Sequence, residues 1–268
     1  MTIHKGDFMM YKTLLFEQEG RIATLTLNRP NAMNAMDETM MEELADILDE
    51  LRGNKSVQVL IIKGEGRAFS AGGDIKAMLS DEKPLDIEAA MDYLTRIATS
   101  LYTLPQITIA SVHGAAAGLG FSMVLGCDII IAEENSKLAM NFIGIGLIPD
   151  GGGHFFLKER VGIPKAKQLM WSGQLLNGKE AQKLGLVDEV APDGAGHATA
   201  AAYAQKLLAS PVAAMITSKE ILHLSKINEL QAILRGEAKG QTAMRKTADH
   251  QEGIQAFVQK RKPTFKGE

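Results

Sequence analysis

The chain has 268 residues, enough for one large domain, and a hydrophobic content of 46% predicts a substantial core. A formal net charge of −3 gives no electrostatic reason to expect nucleic acid as a partner, and no apolar run approaches the ~20 residues of a membrane span. The single cysteine, Cys127, excludes an intramolecular disulfide and fits a reducing cytoplasm. The N-terminus has no signal-peptide core, and we expect residues 1–9 to form a loose tail, with Met9 or Met10 as an alternative start.

The first predicted elements are two strands at residues 11–16 and 21–28, because apolar and polar residues alternate in both. Residues 17–20 between them carry the signal of a hairpin turn. A helix is then predicted over residues 34–52, where methionine, leucine and isoleucine recur at helical spacing.

Two strand–turn–helix units of similar design follow. The strand at residues 57–62 leads into a small-residue turn at 66–73 and a helix at 74–79. A second strand, residues 107–112, leads into the turn at 114–120. Small residues let a ligand approach the backbone, and the free N–H groups at a helix start favour negative charge. The two turns could therefore converge on one carbonyl oxygen and hold it as an oxyanion.

Further strands are predicted at residues 128–132 and 138–142, so strands and helices alternate. Such alternation predicts an α/β fold with a largely parallel sheet. From Lys179 onward the chain is predicted to form helices that are broken at residues 193–196 and 210–211, and we place a boundary near residue 200. This divides the chain into a core at residues 1–200 and a C-terminal helical region at residues 201–268.

Two other kinds of site are disfavoured. The spacing of Gly114, Gly118 and Gly120 is similar to a dinucleotide-binding turn, but it lies in mid-chain and no Tyr-x-x-x-Lys pair accompanies it. Tight packing of a helix on a strand explains the same glycines. The histidines have no metal-binding spacing, and Ser70 lacks the Gly-x-Ser-x-Gly pattern of a nucleophile. We therefore expect no metal site.

Asp150 has two interpretations. It follows Ile148 and Pro149 and precedes three glycines, so it is expected near an apolar cavity. Apolar surroundings raise the pKa of a carboxyl group and suit it to proton transfer. The alternative is that Asp150 caps a helix beginning near His154. Residue spacing does not choose between the two.

Several segments, in this order, carry a family resemblance: residues 27–30 with 34–36, 68–76, 114–128, 178–181 with 185–188, and 252–263. Together they resemble the crotonase superfamily, also called the enoyl-CoA hydratase/isomerase superfamily, from about Tyr11 to Lys266. The resemblance implies a crotonase-like spiral of ββα units with a helical C-terminal trimerisation region. It also implies a homotrimer or a hexamer built from two trimers. Apolar residues of the C-terminal region, such as Ile227, Leu230, Ile233 and Leu234, favour such assembly because a lone surface helix need not bury so many.

The resemblance further implies an acyl-CoA thioester as substrate, so that coenzyme A is part of the substrate and no separate cofactor is needed. The backbone N–H groups of Gly73 and Leu119 would hold the thioester oxygen. The family usually has glycine or alanine at the second position, and the side chain of Leu119 is expected to narrow or turn the pocket. Seven residues match the family's contacts to coenzyme A: Ala32, Met33, Ala71, Asp74, Ile75, Phe257 and Lys260. The last two are near the C-terminus and are expected to lie close to the coenzyme A site of this subunit or of a neighbouring one.

The catalytic positions narrow the function. Hydratases of this superfamily use two glutamates, and the corresponding residues here are Ser122 and Phe142, neither of which is a carboxylate base. Asp150 matches the position of a catalytic aspartate in certain isomerases, most closely the ring-epoxide phenylacetyl-CoA isomerase branch. The resemblance therefore implies a double-bond isomerase in which Asp150 is the base. Two alternatives stay open: a hydratase of weak or altered activity, and a non-catalytic protein that binds coenzyme A or a partner.

Overall fold

The structure is a computed structural model that describes residues 11–75 and 86–268. The N-terminal tail expected at residues 1–9 lies outside the described residues. So does most of the helix expected at residues 74–79, of which Asp74 and Ile75 are described.

The described chain starts with an antiparallel hairpin of β1 (Leu14–Glu19) and β2 (Ile22–Leu27). The first strand starts later than predicted. Lys12 and Thr13 donate their N–H groups to the carboxylate of Glu43, over 2.8 and 2.9 Å. The hairpin nevertheless has the predicted alternation, with one face of β1 buried and the other exposed.

Parallel strands extend this hairpin into a sheet. The other strands of the described residues are β3 (Val59–Gly64), β4 (Ile107–Val112), β5 (Ala115–Ala117), β6 (Ile129–Glu133), β7 (Lys137–Ala139) and β8 (Glu189–Ala191). The main sheet has the order β1-β2-β3-β4-β6-β8, and every pair after β1–β2 is parallel. A second, small sheet pairs β5 with β7 in parallel. The predicted α/β class and largely parallel sheet are confirmed.

Two strand predictions are wrong. The strand expected at residues 138–142 ends at Ala139, because Asn141 leaves the extended conformation and Phe142–Ile145 forms a 3₁₀ helix. The segment after Lys179 was expected to consist of helices separated by breaks, without a strand, yet it contains β8, a strand of three residues that pairs with β6 at the edge of the sheet. So short a strand has no periodicity of its own.

The helices of the described residues are α1 (Glu38–Gly53), α2 (Ile87–Thr103), α3 (Leu119–Leu125), α4 (Gly153–Ser172), α5 (Gly178–Lys183), α6 (Gly196–Leu208), α7 (Val212–Leu224), α8 (Ile227–Met244) and α9 (Ala248–Val258). Helix α1 begins later than predicted because Asp37 is its N-cap and accepts a hydrogen bond from Met40 N–H. Asn34 is not helical; it has a positive φ of 53°, and its buried amide donates to the carbonyls of Glu65 and Ala68.

Apolar residues cover both faces of the sheet. Leu60 and Ile62 of β3 belong to the larger core, which they share with α1 and α2. Val59 and Ile61 point to the opposite face and pack in a smaller cluster with Ala200 of α6. Residue 200 therefore lies inside a helix that covers the sheet. The division of the chain near this residue stays a prediction.

Helix α8 is buried within its own subunit. Leu230 and Leu234 belong to the larger core, and Ile227 and Ile233 pack against it half-buried. The sequence argument that these four residues are left for a neighbouring subunit is wrong, because α8 lies against α2 and α4.

Three of the most exposed apolar side chains lie instead at the end of α7. Ile221, Leu222 and Leu224 are 67%, 67% and 64% exposed. The helices within residues 11–75 and 86–268 include none that is long and apolar enough to cross a membrane.

Candidate active site

The two small-residue turns lie side by side because backbone hydrogen bonds join them. Ser70 N–H donates to the carbonyl of Ala115 over 2.9 Å, and Ala117 N–H donates to the carbonyl of Ser70 over 3.1 Å. The hydroxyl of Ser70 donates to the carbonyl of Asn34 over 2.7 Å. Ser70 therefore has a structural role at the junction of the turns.

Gly72 brings the turns into direct contact. Its φ is 96°, and a Cβ at this position would lie 2.7 Å from the carbonyl oxygen of Ala117 and 3.5 Å from the nitrogen of Leu119. Any side chain would collide with the backbone of the second turn, so the close approach requires glycine. The start of α3 consequently lies directly beside the Gly72–Gly73 turn.

The N–H groups of Gly73 and Leu119 are available to a ligand. No hydrogen bond within the described residues uses either of them. Leu119 is the first residue of α3, where an N–H has no acceptor inside the helix. Both residues line the same cavity, of about 200 Å³. The structure thus brings both predicted donors to one cavity.

The remaining walls of this cavity are mainly apolar. They come from α1, α2 and the 3₁₀ segment, and include Met41, Met91, Leu94, Phe142 and Leu147. The arrangement suits an apolar ligand whose polar end lies at the two N–H groups.

Leu119 also contacts the loop that carries Asp150. A Cβ on Gly151 would lie 2.6 Å from Leu119 Cδ1, so the leucine side chain covers this glycine. Behind it lies a second apolar space of about 10 Å³, lined in part by Met123 and Phe156. The side chain of Leu119 separates this space from the cavity.

The residues expected to contact coenzyme A fall into two groups. Ala71, Asp74, Ile75 and Phe257 line the cavity, whereas Ala32, Met33 and Lys260 do not. The loop of Ala32 and Met33 is nevertheless close, because the carbonyl of Met33 accepts the N–H of Ala71 over 2.9 Å. Phe257 is more than half exposed although it lines the cavity.

Three carboxyl groups border the cavity, and two of them pair with an arginine. Arg29 contacts Asp37 at 3.1 Å and Asp74 at 3.0 Å. It also donates to the carbonyl of Ala35, which fixes the loop before α1. In the described part of the chain, no group of three or more His, Cys, Asp or Glu side chains is arranged to hold a metal ion.

Asp150 is the third carboxyl group, and its environment differs. It is 6% exposed, its Oδ2 accepts a hydrogen bond from Gln241 Nε2 over 3.0 Å, and its Oδ1 has no partner among the described residues. Burial, with a smaller contribution from the negative charge of Glu237, raises the pKa of Asp150 to about 8 against the opposing positive charge of Arg245. This pKa is suited to proton transfer near neutral pH.

Asp150 does not cap a helix, so the alternative interpretation of this residue is wrong. Helix α4 begins after Gly152 without a cap from its own segment. The carboxylate of Glu237, from α8, accepts the N–H groups of Gly152 and His154 over 2.8 and 3.0 Å. The cap comes from a distant helix, which leaves Asp150 free of this role.

The two positions that carry glutamates in hydratases hold no acid. Ser122 is fully buried, does not line the cavity, and its hydroxyl is weakly bonded to Gly118 O at 3.5 Å. Phe142 lines the cavity with an apolar ring. Asp150 is therefore the candidate for a proton-transfer group at this cavity.

Sequence reasoning missed three residues of this site. Glu237, Gln241 and Arg245 lie at four-residue spacing on α8 and at its C-terminal cap, so they share one helix face. Glu237 and Gln241 are buried, and Arg245 lines the cavity. The signal was present as a polar stripe that continues the buried positions Leu230 and Leu234.

The structure combines a spiral α/β fold, two adjacent N–H donors and a buried carboxyl group. These are the features expected of the acyl-thioester enzymes that the sequence motifs resemble. A family model described as enoyl-CoA hydratase/isomerase matches residues 17–268. The chain therefore belongs to the enoyl-CoA hydratase/isomerase family, the crotonase superfamily, and the predicted family is confirmed.

Individual relatives agree with this assignment. The chain is 46% identical over 247 residues to YhaR of Bacillus subtilis (strain 168), a protein that carries the family's general name. The alignment covers 92% of this chain and 96% of YhaR. The chain is 32% identical over 261 residues to 1,2-epoxyphenylacetyl-CoA isomerase of Escherichia coli (strain K12), covering 96% of this chain and all of the relative. An enoyl-CoA hydratase structure from Mycobacterium avium subsp. paratuberculosis K-10 superposes with a TM-score of 0.87 at 30% identity, covering 96% of this chain and 100% of that one. The predicted crotonase-like fold is confirmed, while the relatives include both hydratases and isomerases.

Proposed function

We propose that this protein is an acyl-CoA double-bond isomerase in which Asp150 transfers the proton. One observation carries the proposal. Asp37 and Asp74 are paired with Arg29, whereas Asp150 borders the cavity with one carboxyl oxygen that has no partner among the described residues. A carboxyl group that is buried, unpaired and next to two free N–H donors can move a proton on a substrate whose oxygen those donors hold.

The reaction proceeds through an enolate. The thioester oxygen binds the N–H groups of Gly73 and Leu119. Ionised Asp150 removes a proton from the acyl chain, and the electron pair of the broken C–H bond moves to the thioester oxygen, where the two N–H groups stabilise the negative charge. Protonated Asp150 then returns the proton to a different carbon, and the double bond shifts. No water is consumed, and coenzyme A takes part only as the thioester.

Coenzyme A is proposed to bind along the loops that meet at Ala71. Ala71, Asp74, Ile75 and Phe257 border the cavity, and the carbonyl of Met33 anchors Ala71, with Ala32 beside it. Lys260 follows α9 at the surface. Its ammonium group is proposed to contact the phosphates of coenzyme A.

A hydratase of altered activity is the second candidate, and the names of several relatives support it. Hydration by this family's usual route needs two carboxylates, and Ser122 and Phe142 stand at those positions. The buried, weakly bonded hydroxyl of Ser122 is a poor proton acceptor. This favours the isomerase.

The test compares two variants on one substrate. Asp150→Asn keeps the size and polarity of the side chain but cannot accept the proton, so isomerisation of a 3-enoyl-CoA should fall by roughly 10²–10⁴. Ser122→Ala should change it little. Mass spectrometry of the enoyl-CoA products measures isomerisation and hydration together. An active Asp150→Asn variant with an inactive Ser122→Ala variant would favour the hydratase instead.

A further inference from the structure

Arg245 is an unusual member of the cavity wall. It caps the C-terminus of α8, and its side chain is the one basic group among the described residues that line the cavity. The other charged residues there are Asp37, Asp74 and Asp150. Among the described residues, Arg245 is thus the single cation of a wall that is otherwise mainly apolar or acidic.

The guanidinium of Arg245 has no partner within residues 11–75 and 86–268. No hydrogen bond or ion pair involves it there, and its Nε is shut off from solvent without an acceptor. Asp37 and Asp74 are already paired with Arg29. Burial lowers the pKa of Arg245, which shows that the charge is poorly solvated. A half-buried cation without a counter-ion is unfavourable unless an anion completes the site.

Asp150 does not complete the site in the resting protein. It makes no ion pair with Arg245, although the two groups influence each other's pKa. Because burial raises the pKa of Asp150 to about 8, most of this carboxyl group is protonated and uncharged at neutral pH. In the described part of the chain, one oxygen of Asp150 and the Nε of Arg245 both lack a hydrogen-bond partner, and both residues line the same cavity.

We propose that Arg245 binds a carboxylate at the far end of the acyl chain, so that the substrates are unsaturated acyl-CoA thioesters of dicarboxylic acids. A guanidinium matches a carboxylate in charge and in its forked geometry. Arg245 and Asp150 line the same cavity and lie close enough for each charge to act on the other, and Asp150 is the group proposed to act on the acyl chain, so the anion that reaches Arg245 is taken to belong to the acyl group. The inference rests on the proposed function in one respect, since it takes the thioester end to lie at Gly73 and Leu119.

Binding measurements test the proposed carboxylate site at Arg245 without any turnover of substrate. Adipyl-CoA and hexanoyl-CoA have six-carbon acyl chains, and adipyl-CoA carries a carboxylate where hexanoyl-CoA has a methyl group. Both are saturated, so Asp150 has no double bond to move. By calorimetry at neutral pH, the unaltered protein should bind adipyl-CoA about 10- to 100-fold more tightly, the range expected for hydrogen bonds to a charged group.

Three variants separate charge from fold. Arg245→Met should remove the preference, weakening adipyl-CoA by roughly 10- to 100-fold while hexanoyl-CoA changes little. Arg245→Lys should retain part of it, because a lysine offers the charge without the fork. Arg235→Met is the matched control, since Arg235 is exposed on the same helix, and it should keep the preference. Thermal unfolding of each variant verifies the fold.

The possible failures are distinguishable. Equal binding of the two thioesters by the unaltered protein, or equal weakening of both by Arg245→Met, would overturn the carboxylate site and leave the isomerase proposal standing. Failure to bind hexanoyl-CoA as well as adipyl-CoA would overturn both. Loss of isomerisation in Asp150→Asn supports the proposed function independently of either thioester affinity.

Discussion

At the scale of single residues, the protonation of Asp150 should control the rate. Its pKa of about 8 lies far above the ordinary value of a carboxyl group, because burial and the charge of Glu237 outweigh the opposing charge of Arg245. A raised pKa means that the carboxyl group keeps its proton at neutral pH. The base form therefore appears only as the pH approaches and passes about 8.

The expected pH profile follows from the upward shift of the Asp150 pKa. The value of kcat/KM for isomerisation should rise about tenfold per pH unit below the pKa of the base and level off above it. Initial rates measured from about pH 6 to about pH 9 give the midpoint of this rise in kcat/KM. A profile that is flat over this range would show that Asp150 is already ionised or is not the base.

At the scale of secondary structure, α8 holds the loop of Asp150 in place. Gln241 donates to the carbonyl of Ile148 over 2.6 Å and to Asp150 over 3.0 Å. Glu237, one turn earlier, caps α4 through Gly152 and also accepts from the ring of His154 over 2.9 Å. These bonds position Asp150 and set its electrostatic environment at the same time.

A change of charge on α8 should therefore shift the pH profile. Glu237→Gln removes the negative charge that raises the pKa of Asp150, so the midpoint of kcat/KM should move to lower pH. Weaker capping of α4 should also lower the stability by roughly 0.5–2 kcal/mol. Glu229→Gln is the matched control, because Glu229 is exposed on the same helix and should leave the midpoint unchanged. Identical midpoints in the two variants would refute the electrostatic role of Glu237.

At the scale of the whole molecule, we expect several copies of the chain to assemble. Three large apolar side chains at the end of α7, Ile221, Leu222 and Leu224, are mostly exposed, although soluble monomers rarely present such patches. We propose that this end of α7 contributes to a trimer or a hexamer.

Light scattering at micromolar concentration should give the mass of a trimer or a hexamer. Leu222→Glu should shift the population toward smaller species, since it introduces a charge into the apolar end of α7. Lys239→Glu, an exposed change on α8, should not. A stable monomer for the unaltered protein would contradict the proposal.

The sequence by itself determined the features whose cause is local. Buried strands such as β3 and β4 are mostly apolar, and helix α1 follows from its apolar spacing. Gly72 could be recognised as a point of close approach because glycine permits a backbone that other residues cannot adopt. The order of these motifs was enough to predict the family.

Only the tertiary structure decided which polar groups meet. Asp150 could not be distinguished from a helix cap until Glu237, far along the chain, was found to cap α4 instead. The polar stripe that contains Gln241 and Arg245 is visible in the sequence, but its role is not, because that role depends on what faces α8 rather than on neighbours in sequence. Burial, and with it the raised pKa of Asp150, is a property of the assembled core, in which distant segments exclude water and bring charges together.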